Sequence, residues 1–302
     1  MGRTIGVWAA EHVAVGLVES NQVVGPPGVY PEVGTEADPL KGMPAEMIVQ
    51  CIREEVLKMA ASPADHDSIQ AIGVGFPGMI SNGVIIDSPN LAQVKGFDLQ
   101  SALREALGRS GLAAPVLVLN DADAMAAGIA AAHGHLDKFI RVWTLGNGVG
   151  FGRFPWLDGA WEGGHSVVTL DAKERFCGCG GEGHLEGIVG HRSMRLRFLD
   201  KEPEEVFEDA RAGDGRCAEF VKLWHRALAA GTATSIHMDG AGKFFLCGPN
   251  ARFVELGLLS MYVQDMVKMS PLQGSFFEVV RASDTLGITG AALTAERAQR
   301  RT

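Results

Sequence analysis

Short β-rich runs alternate with helical periodicity twice along this chain, and that repeated order confines it to layered α/β architectures. Thr4 to Trp8 and Val13 to Val18 read as a strand pair, followed by a Pro/Gly-rich loop from Gly25 to Pro44. Residues 45–61 place Met47, Ile48, Cys51, Ile52, Val56 and Met59 at the spacing of a half-buried helix. A buried strand, Ile69 to Phe76, a short strand, Gly83 to Asp87, and a helix, Asp98 to Leu107, follow. A strand from Pro115 to Leu119 then runs into an Ala-rich helix, Asp121 to Ala132. The second round begins with strands Ile140 to Leu145 and Gly146 to Phe154, then an irregular stretch from Trp161 to Gly190. Helices at 203–212 and 214–231, a strand at Phe244 to Cys247, a helix at 251–268, a strand at Phe276 to Val280 and a last helix from about 286 complete it. At 302 residues the chain exceeds a single core, so two α/β lobes with a cleft between them are expected. The first covers 1–120, completed by the C-terminal helix 287–302, and the second covers 121–286.

The formal net charge of −9 argues against direct nucleic-acid binding, which needs basic surface. No stretch approaches a membrane span, and the N-terminus lacks a long apolar core with a cleavage site. Five cysteines, an odd number in a large chain, point away from a disulfide framework and toward a reducing, cytoplasmic address.

Three segments carry chemistry. Asn120-Asp121 stands at the end of a buried strand, where α/β sheets expose functional groups, and a carboxylate there can take the proton of a substrate hydroxyl. Both residue types are equally at home as helix caps, so the cap reading stays open. Cys177-Gly-Cys179 followed by His184, with His165 twelve residues before Cys177, supplies two thiols and two imidazoles, a set suited to tetrahedral zinc. The alternative is a flexible Gly-rich loop with two unrelated thiols. Thr144-Leu145-Gly146-Asn147-Gly148-Val149-Gly150 is either a phosphate cradle or a glycine-punctuated strand turn.

In order, the chain reads AIGVGFPG and GVIIDSPNL, then NDADAMAAG, EGGH and CGCGGEGHLEG. These blocks resemble those of the ROK family of repressors, open reading frames and kinases. Its members typically show GxGxPGxxD…GxxxxxPNL, NDANAAALAE, GEIGH and CxCGxxGCxE. The resemblance runs over essentially the whole chain. It implies the two-lobed actin-like ATPase, or sugar-kinase, variant of the ribonuclease H-like fold. It further implies that Asn90, Asn120, Glu162 and Glu186 bond sugar hydroxyls, that Asp121 is the catalytic base, and that His165 links the sugar site to a structural zinc held with Cys177, Cys179 and His184. Gly146, Asn147, Gly148, Gly150 and Gly248 match nucleotide-binding positions, with Mg-ATP as the donor of a kinase. A homodimer is the family's habit.

The chain also departs from that pattern. His184 stands where the family has a third cysteine, and His165 lies about two residues further from Cys177 than the resemblance suggests. Where the family has DxGGTK this chain reads Trp8-Ala9-Ala10-Glu11-His12-Val13, which removes the metal carboxylate and the glycines and adds a like charge at Glu11. Asn147 replaces a threonine, and Pro249 removes a backbone donor beside Gly248. Two functions follow: an ATP-dependent kinase of a hexose or N-acyl hexosamine, or a catalytically silent sugar-binding sensor or partner protein.

Overall fold

The computed structural model describes residues 2–10, 12–32, 39–60 and 66–300. In chain order, β1 (Arg3–Ala9), β2 (Val13–Glu19) and β3 (Gln22–Tyr30) precede α1 (Ala45–Met59), β4 (Ile69–Phe76), β5 (Met79–Ser81), β6 (Val84–Asp87) and α2 (Leu99–Gly108). Next come β7 (Val116–Asn120), α3 (Asp121–Ala132), β8 (Ile140–Leu145) and β9 (Val149–Phe154). The remainder comprises α4 (Glu186–Val189), α5 (His191–Arg197), α6 (Pro203–Ala212), α7 (Gly215–Asp239), β10 (Lys243–Cys247), α8 (Leu256–Met266), β11 (Phe276–Val279) and α9 (Asp284–Gln299).

Two differences from the sequence expectation have simple causes. The Pro/Gly-rich stretch is in part strand β3, which hairpins back from β2 through Ser20 and Asn21, both at positive φ. It lies at the edge of its sheet, and Pro26 and Pro27 fall where the register shifts, so neither removes a needed ladder donor. The helix expected over 251–268 starts only at Leu256, because Pro249–Phe253 forms a 3-10 turn first.

The chain divides into two compact units. The first holds residues 1–139, 152–161 and 282–302, so the break falls after Phe139 and not after Asn120. The reason is α3, which packs along α9 and shares its apolar face with the first sheet. The second unit holds residues 140–151 and 162–281.

The first unit is built on a five-stranded sheet in the order β3-β2-β1-β4-β7, in which β1, β4 and β7 are parallel. One face carries Ile5, Val7, Ile72, Val74 and Val118 and buries them against Ile48, Ile52 and Val56 of α1 and Leu103 of α2. The opposite face carries glycines, Gly6 and Gly73, where α9 comes nearest. A Cβ on Gly6 would lie 2.0 Å from the Ile288 carbonyl oxygen, and one on Gly73 would lie 1.9 Å from that of Ala291. α9 therefore rests its backbone directly on β1 and β4, and Gly290 brings it equally close to α3.

The second unit has a four-stranded sheet in the order β11-β10-β8-β9, with β10 parallel to both neighbours. Trp143, Leu145, Phe244 and Leu246 pack against α7, whose Thr232 accepts the Trp143 indole N–H at 3.0 Å. Buried Arg141 donates to the carbonyls of Ser235 at 3.2 Å and Gly240 at 2.9 Å, which meets the unpaired acceptors at the end of α7. Among the described residues no helix is long and apolar enough to cross a membrane.

Gly290→Ala is expected to lower the thermal midpoint by about 5–10 °C, because its Cβ would lie 1.8 Å from the Ala124 carbonyl oxygen and overpacking of that kind costs about 3 kcal/mol. Gly108→Ala meets nothing within 4 Å and is expected to leave the midpoint unchanged or slightly raised. Thermal melts of the two variants beside the parent check both expectations.

Candidate functional site

In the first unit the parallel strands end along one edge of the sheet. Trp8 of β1 lies opposite Gly75 of β4, which lies opposite Leu119 of β7, and Phe76 lies opposite Asn120. Asp121 follows at the first position of α3. Its Oδ1 accepts the Ala122 N–H at 2.8 Å. Burial pushes the Asp121 carboxyl up to about 6, although the Ala122 and Asp121 N–H groups pull the other way. The result is a carboxyl that ionises near neutrality at a strand end.

Asn120 is a helix cap. Its Oδ1 accepts the N–H groups of Ala122 at 2.8 Å and Asp123 at 3.3 Å, and its Nδ2 donates to the Gly78 carbonyl at 2.9 Å. The amide therefore fixes both the start of α3 and the Pro77-Gly78 segment. Ser88 Oγ donates to the Pro77 carbonyl at 3.0 Å, which ties the same segment to the turn 88–91 that carries Asn90. Asn90 is exposed on that turn. Asp123 is 1% exposed and accepts the Arg153 N–H at 2.8 Å, which holds α3 to the end of β9.

In the second unit, Glu186 is the centre of a cluster. Its Oε2 accepts the Val149 N–H at 3.0 Å, its Oε1 faces His165 Nε2 at 3.8 Å, and the Cys177 thiol lies 3.6 Å from Oε1. Burial alone would raise the Glu186 carboxyl, but His165 and the Val149 N–H outweigh it and hold it below the usual range. Gly148 is required here, since a Cβ would lie 2.4 Å from Glu186 Oε2. The turn carrying Glu162 and His165 is pressed onto β9, where a Cβ on Gly164 would lie 1.9 Å from the Val149 carbonyl oxygen.

The Gly146–Gly150 loop is held from several sides. The Gly146 N–H bonds the Gly148 carbonyl at 3.0 Å, and the His191 N–H bonds the Gly146 carbonyl at 2.9 Å. Asn250, fully buried, donates to the carbonyls of Gly146 at 3.2 Å and Val189 at 3.4 Å and accepts from His191 Nδ1 at 3.1 Å. Two of the loop's amides, those of Gly146 and Val149, are therefore already engaged within the protein. Gly248 sits at φ +90°, where a side chain would meet the Leu145 backbone, so its glycine is a backbone requirement.

Three of the four expected Cys/His ligands come together, while His184 stands outside that group and reaches only Cys179. Ligand atoms of His165, Cys177 and Cys179 lie within 4.8 Å of one another. The two sulfurs are 3.3 Å apart, His184 Nδ1 is 3.2 Å from Cys179 Sγ, and the His165 and His184 rings stack at 5.3 Å. Arg197 pairs with buried Glu174 and lies 4.3 Å over the Phe176 ring, which braces the loop just before Cys177.

At the β1–β2 turn, Glu11 lies outside the described residues. His12 Nε2 bonds Asp284 Oδ2 at 2.8 Å, tying the turn to the start of α9. Asn250 and the Arg197–Glu174 pair had no signal in the sequence beyond position, since partners 59 and 23 residues away define them.

A family model, described as the ROK family, matches residues 35–297. The chain belongs to the ROK family. A protein named glucokinase, from Pyrobaculum calidifontis, is 36% identical over 179 residues, which cover 54% of this chain and 57% of that relative. The chain thus aligns with somewhat over half of that relative's length. The crystal structure of a ROK hexokinase from Thermus thermophilus superposes with a TM-score of 0.75 at 24% identity, covering 99% of this chain and 100% of the other. A ROK family glucokinase from Streptomyces griseus, solved with glucose and AMPPNP, gives a TM-score of 0.64 at 21% identity over 98% and 100% of the two chains. The fold is therefore the actin-like ATPase fold of the ROK sugar kinases.

Asn250→Ala would leave His191 Nδ1 without its partner and reduce the carbonyls of Gly146 and Val189 to one bond each, from the His191 N–H and the Trp224 indole, at a cost of about 1–2 kcal/mol. It is expected to lower the denaturation midpoint and to speed amide exchange at His191, both measurable on the folded variant.

Proposed function

We propose that this ROK protein is a sugar kinase of a hexose or N-acyl hexosamine, with Asp121 as the base. The observation that carries the proposal is the Asp121 carboxyl, placed at the end of β7 and raised to about 6 by burial. A base acts best when its proton affinity lies near the working pH. In the reaction, the sugar hydroxyl would give its proton to Asp121 as its oxygen bonds the γ-phosphorus of ATP, while the bond from that phosphorus to the β–γ bridging oxygen breaks and ADP leaves. Within the first unit, Asn120 keeps α3 and the Pro77-Gly78 segment in place and Asn90 offers an amide suited to a polyol; within the second, Glu162 and Glu186 offer carboxylates of the same use. The glucokinase relative and the matched family model support this reading. A cytoplasmic setting fits a chain with five cysteines and no disulfide among the described residues.

Magnesium would neutralise charge on the transferring phosphoryl group. The residues at the β1–β2 turn do not fit it, because Trp8 brings no oxygen ligand to the strand end where the family pattern has a carboxylate. That misfit, with the engaged amides of Gly146 and Val149, favours a second reading as a sugar-binding protein without turnover. Titration of Mg-ATP with and without hexoses separates the two: nucleotide binding supports the kinase, and hexose binding alone supports the sensor. In the kinase, Asp121→Asn is expected to abolish phosphorylation while hexose affinity stays within about threefold. Because the ionised form is the base, activity should fall as pH drops through about 6.

Zinc fits the second unit. Two thiols and two imidazoles match a four-ligand structural site, whose tetrahedron sets sulfurs about 3.8 Å apart, near the 3.3 Å seen. His165, Cys177, Cys179 and His184 would hold the ion and brace the loop that carries Glu186. Nε2 of His165 lies 3.8 Å from Glu186, the kind of carboxylate neighbour that a metal-binding imidazole commonly has. Protein purified without chelator is expected to carry about one zinc per chain. Cys179→Ser should reduce that content several-fold and lower the melting temperature; a metal-free protein of full stability would remove the assignment.

A further inference from the structure

In the second unit, α8 is fastened to α7 through one imidazole. His225, fully buried on α7, has Nδ1 2.8 Å from the Val221 carbonyl oxygen, and its Nε2 accepts the Glu255 N–H at 2.9 Å. A carbonyl only accepts and a backbone N–H only donates, so these partners place the ring's proton on Nδ1 and leave Nε2 bare. Glu255 is the residue before the first turn of α8, and its own carbonyl accepts the Leu259 N–H at 2.9 Å. Glu255 is thus tied to α7 through its N–H and to its own helix through its carbonyl. Just upstream, the 249–253 turn carries Phe253, which stacks on Phe207 of α6 at 4.3 Å, and Asn250, which holds the Gly146 carbonyl.

We propose that His225 is an acid-sensitive latch: its bare Nε2 clips the start of α8 and the 249–253 turn to α7, and a proton on that nitrogen opens the clip. A protonated Nε2 would set two donors against each other 2.9 Å apart, and the ring would keep one acceptor, the Val221 carbonyl. The surroundings offer the new charge little. α6 presents the edge of Phe207 at 6.5 Å, α7 presents Trp224 at 5.0 Å, and the charged group that faces the ring is Glu255, at the start of α8. Burial holds the imidazole below its ordinary value, against the pull of the Val221 carbonyl and the Glu255 carboxylate. The neutral ring therefore adds its full stability above the ordinary imidazole value of about 6.5, and that stability is lost as pH falls below it. The opening reaches the glycine loop, because the freed segment is the one whose Asn250 bonds Gly146 and His191.

The test is NMR of the full-length protein labelled with nitrogen-15. At neutral pH the ring nitrogens of His225 are expected to show the Nδ1–H tautomer. Between about pH 7.5 and about pH 5.5, protection of the Glu255 and Leu259 amides is expected to fall about tenfold after correction for intrinsic exchange, the scale of one lost hydrogen bond. The amide of Leu246, fully buried on β10, should hold. His225→Gln keeps an acceptor near the Nε2 position but takes up no proton, so its protection should be flat over the same range. His225→Phe, with no acceptor, should match the acid form of the parent at every pH. An Nε2–H tautomer at neutral pH overturns the proposal, as does protection that stays flat in the parent or falls equally in His225→Gln. The tautomer and the parent's exchange decide it even if neither variant folds. Neither readout involves sugar or nucleotide, so the latch stands or falls apart from the kinase and sensor readings.

Discussion

The backbone of α9 lies directly on β1 and β4, and the first unit is organised by that contact. Gly6 and Gly73 leave no side chains between helix and sheet, so carbonyls of Ile288 and Ala291 sit where Cβ atoms would otherwise stand. The close approach draws α3 in beside α9 through Gly290. It thereby fixes where the first turn of α3, with Asn120 and Asp121, meets the ends of the parallel strands. The opposite face of the sheet follows the usual rule of large aliphatics against amphipathic helices. Glycines at the closest approach on one face and large aliphatics on the other give the sheet two different partners.

The second unit is organised by hydrogen bonds around a loop. Asn250 and Glu186 together hold the Gly146–Gly150 segment, one through carbonyls and one through the Val149 N–H. The same Glu186 reaches His165 and the Cys177 thiol, so the glycine loop and the Cys/His cluster share one carboxylate. A shift in either is felt by the other, because buried polar groups cannot give up a partner cheaply. The family's glycine loop is thus kept in shape by the protein itself, whatever occupies it.

Much of this was legible in the order of residues. Period-two and period-3.6 patterning located nearly every strand and helix, and the run of blocks from AIGVGFPG to CGCGGEGHLEG pointed to the family. The Asn120-Asp121 pair could be read either as a cap or as a functional pair. The structure gives Asn120 the cap bonds and puts Asp121 at the first position of α3. The strand β3 was hidden because Gly25, Pro26, Pro27 and Gly28 are loop residues by composition, and only an edge position with a shifted register admits them. The place of α3 in the first unit was likewise unreadable, since it depends on contact with a helix more than 150 residues later.

The sequence by itself determined the alternation of strands and helices and the set of thiols and imidazoles. Those depend on residue type and local spacing, which the chain carries without folding. Only the tertiary structure decided that Trp8 packs on α9 at Gly287 and which amides of the glycine loop are already engaged. These are properties of neighbours far apart in the chain. Burial and hydrogen-bond satisfaction exist only once α9 has closed on the sheet and α4 has brought Glu186 against Val149.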